Sequence, residues 1–99
     1  MKTHSYPYVN KRKHTIRFLI HHSCADHIAL SGTFNHWAPD ELLLVHEKQG
    51  DQWFIDIPML PHGKYHYKFF IDDKMWMEDV ENRHREPDGV SGWNSVLIV

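Results

Sequence analysis

Five carboxylates that lie close together in the second half of the chain are the first residues with the chemistry of an active site. They are Asp72, Asp73, Glu78, Asp79 and Glu81. Glycoside hydrolysis needs two carboxyl groups held across a cleft, with the pKa of one of them raised by burial. These five residues stand in turn-rich, polar segments of a short chain. The sequence therefore favours solvated turn acids over a catalytic pair.

Histidine pairs are the second group, because they are candidate metal ligands. The chain has 10 histidines, of which His62 and His66 are four residues apart. That spacing gives a chelating pair on a helix, but here the residues alternate as in a strand, where four residues span about 13 Å. His21 and His22 point to opposite faces of a strand for the same reason. We therefore expect solvated histidines, and neither a metal nor another cofactor.

The four tryptophans form the third group. Trp53 stands in an apolar run beside a hairpin turn, which favours packing in the core. Trp37 stands where the chain leaves a predicted strand, and Trp76 has charged neighbours on a short strand. An exposed indole ring is an apolar platform that matches the C–H face of a glucose ring. Trp37 and Trp76 therefore predict sugar stacking.

Alternation of apolar and polar residues indicates the strands that must position these side chains. The clearest strand is 64–71, where every odd-numbered residue is aromatic or aliphatic and Lys68 lies on the opposite face. No segment has a convincing helical period. The other predicted strands are 14–20, 27–33, 42–47, 53–57, 74–78 and 93–99, with a polar loop over 81–92. About seven short strands predict an all-β protein folded as an antiparallel β-sandwich.

Length and composition limit the possible functions. The chain has 99 residues, enough for one domain, and its 41% hydrophobic share is sufficient for one core. Its net charge of −2 offers no broad basic surface to a nucleic acid. No apolar run has the length of a signal peptide or a membrane span, and the single Cys24 has no partner for an internal disulfide. We therefore expect a cytoplasmic protein that binds neither nucleic acid nor membrane.

Three ordered motifs carry a resemblance to a known family. They are LSGTFNHW at 30–37, LPHGKYHYKFFIDD at 60–73 and PDGVSGWNSV at 87–96. At these separations they resemble the family 48 carbohydrate-binding modules. That family includes the glycogen-binding domain of the AMP-activated protein kinase β-subunit and the N-terminal modules of branching and debranching enzymes. The resemblance covers about residues 14–99 and implies an immunoglobulin-like, early-set sandwich, which leaves residues 1–13 as an N-terminal extension.

The resemblance also implies a binding site, residue by residue. Trp37 and Trp76 match the two stacking tryptophans of the family. Lys68 matches the lysine that hydrogen-bonds glucosyl hydroxyls, and Asn94 matches the asparagine of the last strand. The alternation of residues 64–71 supports Lys68 independently, because it places this side chain on the face opposite the core.

Four positions depart from the family pattern. Asp73 replaces the glycine that is usual in the turn before the second tryptophan. Val90 and Gly92 stand where the family has a contacting leucine and threonine, so we expect fewer polar contacts there. Trp93 has no counterpart in the kinase pattern and is either a third stacking platform or a residue that packs in the sheet.

The function expected from these residues is non-catalytic binding of an α-1,4-linked glucan such as glycogen, starch or a maltooligosaccharide. A glucan-metabolising enzyme or a kinase is the expected protein partner. The alternative is an interaction or regulatory sandwich that has lost sugar binding, because a fold does not fix a function. Exposed rings of Trp37 and Trp76 on one surface favour sugar binding, whereas buried rings favour the alternative. A hydrolase is the least favoured function.

Overall fold

The alternating segments form ten β-strands in the computed structural model, which describes residues 4–99. The strands are β1 (Tyr8–Asn10), β2 (Thr15–His21), β3 (Ile28–Gly32), β4 (Leu42–Leu43), β5 (Val45–Glu47), β6 (Gln52–Pro58), β7 (Lys64–Ile71), β8 (Met75–Met77), β9 (Arg85–Pro87) and β10 (Trp93–Ile98). Within this range the helical content is the 3₁₀ turn Thr33–Asn35, and no helix is long and apolar enough to cross a membrane.

The strands pair into two antiparallel sheets. A four-stranded sheet has the order β1-β2-β6-β5, and a six-stranded sheet contains β4-β3-β7-β10-β9 in that order. The sixth strand of the second sheet, β8, pairs with the last three residues of β7, 69–71. The prediction of an all-β, immunoglobulin-like sandwich is confirmed. The described residues form more and shorter strands than the seven expected.

The core lies between the two sheets and is built mainly from the apolar faces of β2 and β7. Ile16, Phe18 and Ile20 of β2 are fully buried, and so are Tyr67 and Phe69 of β7. Side chains two residues apart on a strand share a face, so the alternation seen in the sequence becomes the core surface of each sheet. The rings of Phe18 and Tyr67 meet edge to face at 5.0 Å between centroids and connect the two sheets.

Trp53 is a core residue, as its apolar surroundings in the sequence predict. Only 3% of its surface is exposed, and its indole Nε1 donates a hydrogen bond of 3.1 Å to the carbonyl of His22. The ring of His46 stacks on it at 4.2 Å between centroids. The buried indole N–H therefore has the partner that burial requires.

The strand pattern differs from the prediction in three places. Segment 42–47 is two strands, because the chain passes at the buried Leu44 from the six-stranded to the four-stranded sheet. β9 lies inside the predicted polar loop 81–92, since an edge strand can have exposed polar side chains. β1 lies inside the predicted extension 1–13 and pairs with β2. A module boundary at residue 14 stays a prediction.

The outer face of the six-stranded sheet, which is turned away from the core, carries every second residue of β7. The side chains of Lys68 and Phe70 lie on this outer face, whereas the buried side chain of Tyr67 points to the inner face. Trp76 of β8 is directly across from Phe70. The register of β10 with β7 brings Asn94 beside Lys68. Strand β7 therefore brings its own side chains together with those of two neighbouring strands, β8 and β10, on a single surface.

Candidate functional site

A cleft of about 470 Å³ opens on this outer face. Four of the five residues predicted for the binding site line it, together with two that were not predicted as ligand contacts. The lining residues are Trp37, Lys68, Trp76, Asn94, Asp88 and Val90. The cleft thus combines two aromatic rings, one ion pair, one carboxamide and one aliphatic side chain.

The two tryptophan rings stand at an angle to each other. Their centroids are 6.5 Å apart and their planes meet at 74°. Trp76 is 44% exposed, and the ring of Phe70 packs against it at 4.4 Å with an angle of 30° between the planes. Phe70 therefore supports one side of the Trp76 ring and leaves indole surface open to the cleft.

A short turn at the end of β3 positions Trp37. The backbone carbonyl of Gly32 accepts a hydrogen bond of 2.8 Å from the amide of Trp37, and the buried Asn35 side chain accepts one of 2.9 Å from the amide of Gly32. His36 and Trp37 both have left-handed backbone angles, with φ of 57° and 59°. Such angles cost about 1–2 kcal/mol for a non-glycine residue, so these hydrogen bonds hold a strained backbone.

Gly32 is required at the start of this turn by close packing rather than by its backbone angles. A Cβ atom at this position would lie 2.5 Å from the carbonyl oxygen of His66 and 2.8 Å from the ring of Phe34. Real Cβ atoms do not approach backbone so closely, which means that any side chain here would push β3 away from β7. The glycine of the first motif therefore keeps Trp37 close to the sheet.

The turn between β7 and β8 positions Trp76. Asp72 and Asp73 have φ of 52° and 55°, in the left-handed region that Asp tolerates better than most residues. One Asp72 carboxylate oxygen accepts the amides of Asp26 at 2.7 Å and His27 at 2.9 Å. The His27 ring bonds to the Asp73 carboxylate at 2.7 Å. Asp73, which replaces the family glycine, thus takes the required angle and anchors the turn.

These contacts explain the ionisation of the turn acids. The amide hydrogen bonds from His27 and Asp26 hold the pKa of Asp72 below its ordinary value, and the hydrogen bond to Asp73 raises the pKa of His27. Both carboxylates are used for folding the turn. The prediction of turn acids holds for this pair.

For Asp79 the expectation of a solvated carboxylate was wrong. Its side chain is buried, with 1% of its surface exposed, and accepts hydrogen bonds from the Tyr67 hydroxyl at 2.7 Å and the Glu81 amide at 3.1 Å. Its own amide donates to the Ser95 hydroxyl at 2.8 Å. Burial raises the pKa of Asp79 to about 6. Since Tyr67 and Ser95 belong to the inner face of the sheet, this carboxyl lies on the side opposite the cleft.

Lys68 and Asp88 form an ion pair inside the cleft. Nζ of Lys68 donates to Oδ2 of Asp88 at 3.0 Å, and the two side chains are 20% and 16% exposed. The other carboxylate oxygen of Asp88 accepts the amides of Val90, Ser91 and Gly92 at 2.9, 3.2 and 3.1 Å. The amide of Val90 first, then the Lys68 ammonium and the amide of Gly92, hold the pKa of Asp88 well below its usual range.

Sequence reasoning missed Asp88 although a signal was present. The residue stands in a Pro-Asp-Gly run, and an Asp before a glycine commonly folds back on the amides that follow it. That pattern predicts the turn at 88–92. It does not predict the contact with Lys68, which is twenty residues away in the chain. Val90, at the position of the family leucine, places an aliphatic side chain with 90% exposure at the edge of the cleft.

Trp93 is not brought together with the other four predicted site residues. Strand alternation puts it on the same side of β10 as the buried Ser95 and Leu97, and opposite to Asn94. The guanidinium of Arg85 lies over its ring at 4.3 Å from the centroid, while 40% of Trp93 stays exposed. Of the two uses considered, packing in the sheet with Arg85 fits this position.

The histidine pairs do not come together as ligands. His66 bonds through Nε2 to Glu86 at 2.7 Å, and His21 bonds to Glu81 at 3.1 Å. In the part of the chain that the structure describes, no three His, Cys, Asp or Glu side chains are grouped so as to hold a metal ion.

Comparison with known proteins assigns the chain to a family. The family described as the glycogen recognition site of AMP-activated protein kinase matches residues 14–98, nearly the whole chain. No curated protein matches the sequence. The match spans the three motifs, strands β2 to β10 and every residue that lines the cleft. The chain is therefore a member of the glycogen recognition family of AMP-activated protein kinase.

Proposed function

We propose that this chain binds α-1,4-linked glucan without catalysis, by stacking glucose rings on Trp37 and Trp76 and by hydrogen bonds from Lys68 and Asn94. The observation that carries the proposal is the cleft itself, in which these four side chains lie together on one surface. Membership of a glycogen recognition family supports the same class of ligand.

The angle between the tryptophan rings favours a curved chain. Successive glucose units of an α-1,4 glucan turn steadily, whereas those of a β-1,4 glucan form a flat ribbon. Two platforms at 74° offer two consecutive turned units one aromatic face each. A flat ribbon could lie on only one of these faces. We therefore assign the site to maltooligosaccharides and the outer chains of glycogen or starch.

The polar groups supply direction. Lys68 brings an ammonium donor, and the Asn94 carboxamide brings both a donor and an acceptor, which together can bind neighbouring sugar hydroxyls. Both lie beside the ring pair on the outer face. Stacking then supplies most of the contact area, and the polar pair fixes the chain on it.

The carboxylate of the cleft supports a non-catalytic role. Of the six described residues that line the cleft, Asp88 is the one with a carboxyl group, and its hydrogen bonds keep that group ionised. A glycosidase needs a protonated carboxyl as general acid, with a second carboxylate across the bond that is cleaved. Asp79, whose pKa is raised, lies on the other side of the sheet and is buried.

Binding to two oligosaccharides tests the proposal. The cleft is open and covers one side of a flexible chain, so we expect a Kd of about 10 μM to 1 mM for maltoheptaose, or about −4 to −7 kcal/mol. Tryptophan fluorescence should shift with maltoheptaose and stay constant with cellohexaose. Equal responses to the two sugars, or none to either at millimolar concentration, would favour the alternative of an interaction domain.

Electrophoresis through gels with and without glycogen locates the site. Trp37→Ala should lose most of the retardation and keep its melting temperature, since the ring lies on the outer face. Trp93→Ala is the control, because it removes a tryptophan that lies outside the cleft and is more exposed than the half-buried Trp37. Retardation of Trp37→Ala equal to that of the wild type would remove Trp37 from the site.

A protein partner is a separate part of the proposal. The family is described by its occurrence in AMP-activated protein kinase, which supports a kinase, or an enzyme of glucan metabolism, as the partner of this chain. Co-purification of the chain with a purified candidate enzyme, at equal molar ratio and without glucan, is the measurement that tests it.

A further inference from the structure

The two carboxylate oxygens of Asp88 accept hydrogen bonds from different partners. Oδ2 accepts the Lys68 ammonium at 3.0 Å, while Oδ1 accepts three successive backbone amides of residues 90–92. The Asp88 amide also donates to the carbonyl of Gly92 at 3.0 Å, which closes the turn. A single side chain therefore ties Lys68 of β7 to the turn that leads into β10 and carries Val90.

Building on the proposed function, we propose that Asp88 is a positioning and specificity residue. It holds the Lys68 ammonium in place for sugar hydroxyls, and it cancels the charge of that ammonium so that the cleft prefers neutral glucan over anionic sugars. Neither role requires a contact between Asp88 and the sugar.

The positioning role follows from the geometry of the pair. A free lysine has four flexible side-chain bonds and loses much rotamer freedom when it binds a ligand. Lys68 is already restrained, since only 20% of its side chain is exposed and its Nζ is bonded to a carboxylate that is itself fixed by three amides. An ammonium has three hydrogens, so two remain for hydroxyl groups of the sugar. The Lys68 side chain has therefore lost much of its rotamer freedom before a sugar binds.

The specificity role follows from the charges around the cleft. Lys68 and Asp88 are one cation and one anion in contact, and the other four lining residues are uncharged. The nearest acid on the neighbouring strand, Glu86, sits across from Asn94 and is itself paired with Lys64 at 2.7 Å. A phosphorylated or otherwise acidic sugar would approach Lys68 beside a fixed carboxylate, which repels it, whereas a neutral glucan pays no such cost.

Two substitutions separate the turn from the charge. Asp88→Asn keeps a carbonyl oxygen that can accept the amides of residues 90–92 but removes the negative charge. Asp88→Ala removes both. Amide hydrogen exchange at Val90 and Gly92 should therefore be close to the wild-type rate in Asp88→Asn and much faster in Asp88→Ala. Acetylation of Lys68, measured by mass spectrometry against exposed Lys74, should be faster in both variants. These two measurements need no sugar.

Calorimetric titration with maltoheptaose and with maltoheptaose carrying one 6-phosphate then tests the two roles. Asp88→Asn should bind maltoheptaose about tenfold more weakly than the wild type, as expected for loss of one member of a coupled pair. Its preference for the neutral over the phosphorylated sugar should fall by at least about fivefold, which is the Coulomb effect between two unit charges about 4 Å apart in water.

A double variant decides between positioning and direct contact. If Asp88 acts through Lys68, then Asp88→Asn should change the maltoheptaose affinity of Lys68→Ala by less than twofold. A further tenfold loss in the double variant would overturn the positioning role, and so would wild-type affinity of Asp88→Asn alone. An unchanged preference between the two sugars would overturn the specificity role. If the wild type binds no maltoheptaose, the proposed function fails, while exchange and acetylation still report on the Lys68–Asp88 pair.

Discussion

The buried carboxyl of Asp79 predicts that this domain becomes more stable on mild acidification. Burial raises its pKa from an ordinary 3.8 to about 6, so the folded state binds a proton more tightly than the unfolded state does. The resulting contribution to stability is fully present below pH 3.8 and is lost as the pH rises through 6. Between pH 7.5 and pH 5 the two pKa values give a gain of about 1.4 kcal/mol from this one group.

The structure explains why the protonated form is preferred. The carboxyl is 1% exposed, and the Tyr67 hydroxyl and the Glu81 amide are the donors that meet it. No cation pairs with it among residues 4–99, and the nearby Glu81 and Glu78 add to the rise of its pKa. Desolvation therefore outweighs the two hydrogen bonds that favour the charged form.

Urea unfolding followed by circular dichroism at pH 5.0 and pH 7.5 measures the effect, with Asp79→Asn as the reference. The substitution removes the titration, so the difference between the two profiles isolates Asp79 from other groups. His27 is one such group: its raised pKa likewise favours the folded state at lower pH, and it is retained in both proteins. A gain of about 1 kcal/mol corresponds to about 5 °C in melting temperature for a domain of this size. Parallel profiles for the wild type and Asp79→Asn would refute the reasoning.

Three further predictions concern the sheet beneath the cleft. Lys68→Ala should weaken maltoheptaose binding by about 1–3 kcal/mol because sugar hydroxyls lose a charged donor, and an unchanged titration curve would exclude this residue. Gly32→Ala should lower the melting temperature and abolish retardation by glycogen together, since its Cβ would lie 2.5 Å from the carbonyl of His66; a stable variant with wild-type binding would contradict this. Ser31→Ala should leave the free energy of unfolding unchanged or raise it by up to about 1 kcal/mol, because its buried hydroxyl has no partner among the described residues, whereas Ser95→Ala should lower it by a similar amount; denaturant unfolding that ranks them in the opposite order would contradict this.

The alternation of apolar and polar residues was enough to predict which side chains of a strand face the core. In 64–71 the alternation separated the core face from the face of Lys68, and the structure buries Tyr67, Phe69 and Ile71 accordingly. The alternation was enough because successive side chains of any strand point to opposite faces, independently of which strands pair with it. The three motifs supplied the family, and the family match over 14–98 confirms it. The same motifs singled out Asn94, for which the residues alone gave no signal, and they supported Trp37, which its place at the end of a predicted strand had already indicated.

The sequence by itself determined the all-β class, the core faces and the residues that resemble a sugar site. Only the tertiary structure decided which of those residues meet: it gathers four of them in one cleft, buries Asp79 beneath Tyr67 and joins Lys68 to Asp88. The physical reason is the range of the interactions. Side-chain alternation is a property of a few consecutive residues, whereas the order of strands, their register and the burial of a charge depend on segments far apart in the chain, and no local pattern encodes which of them become neighbours.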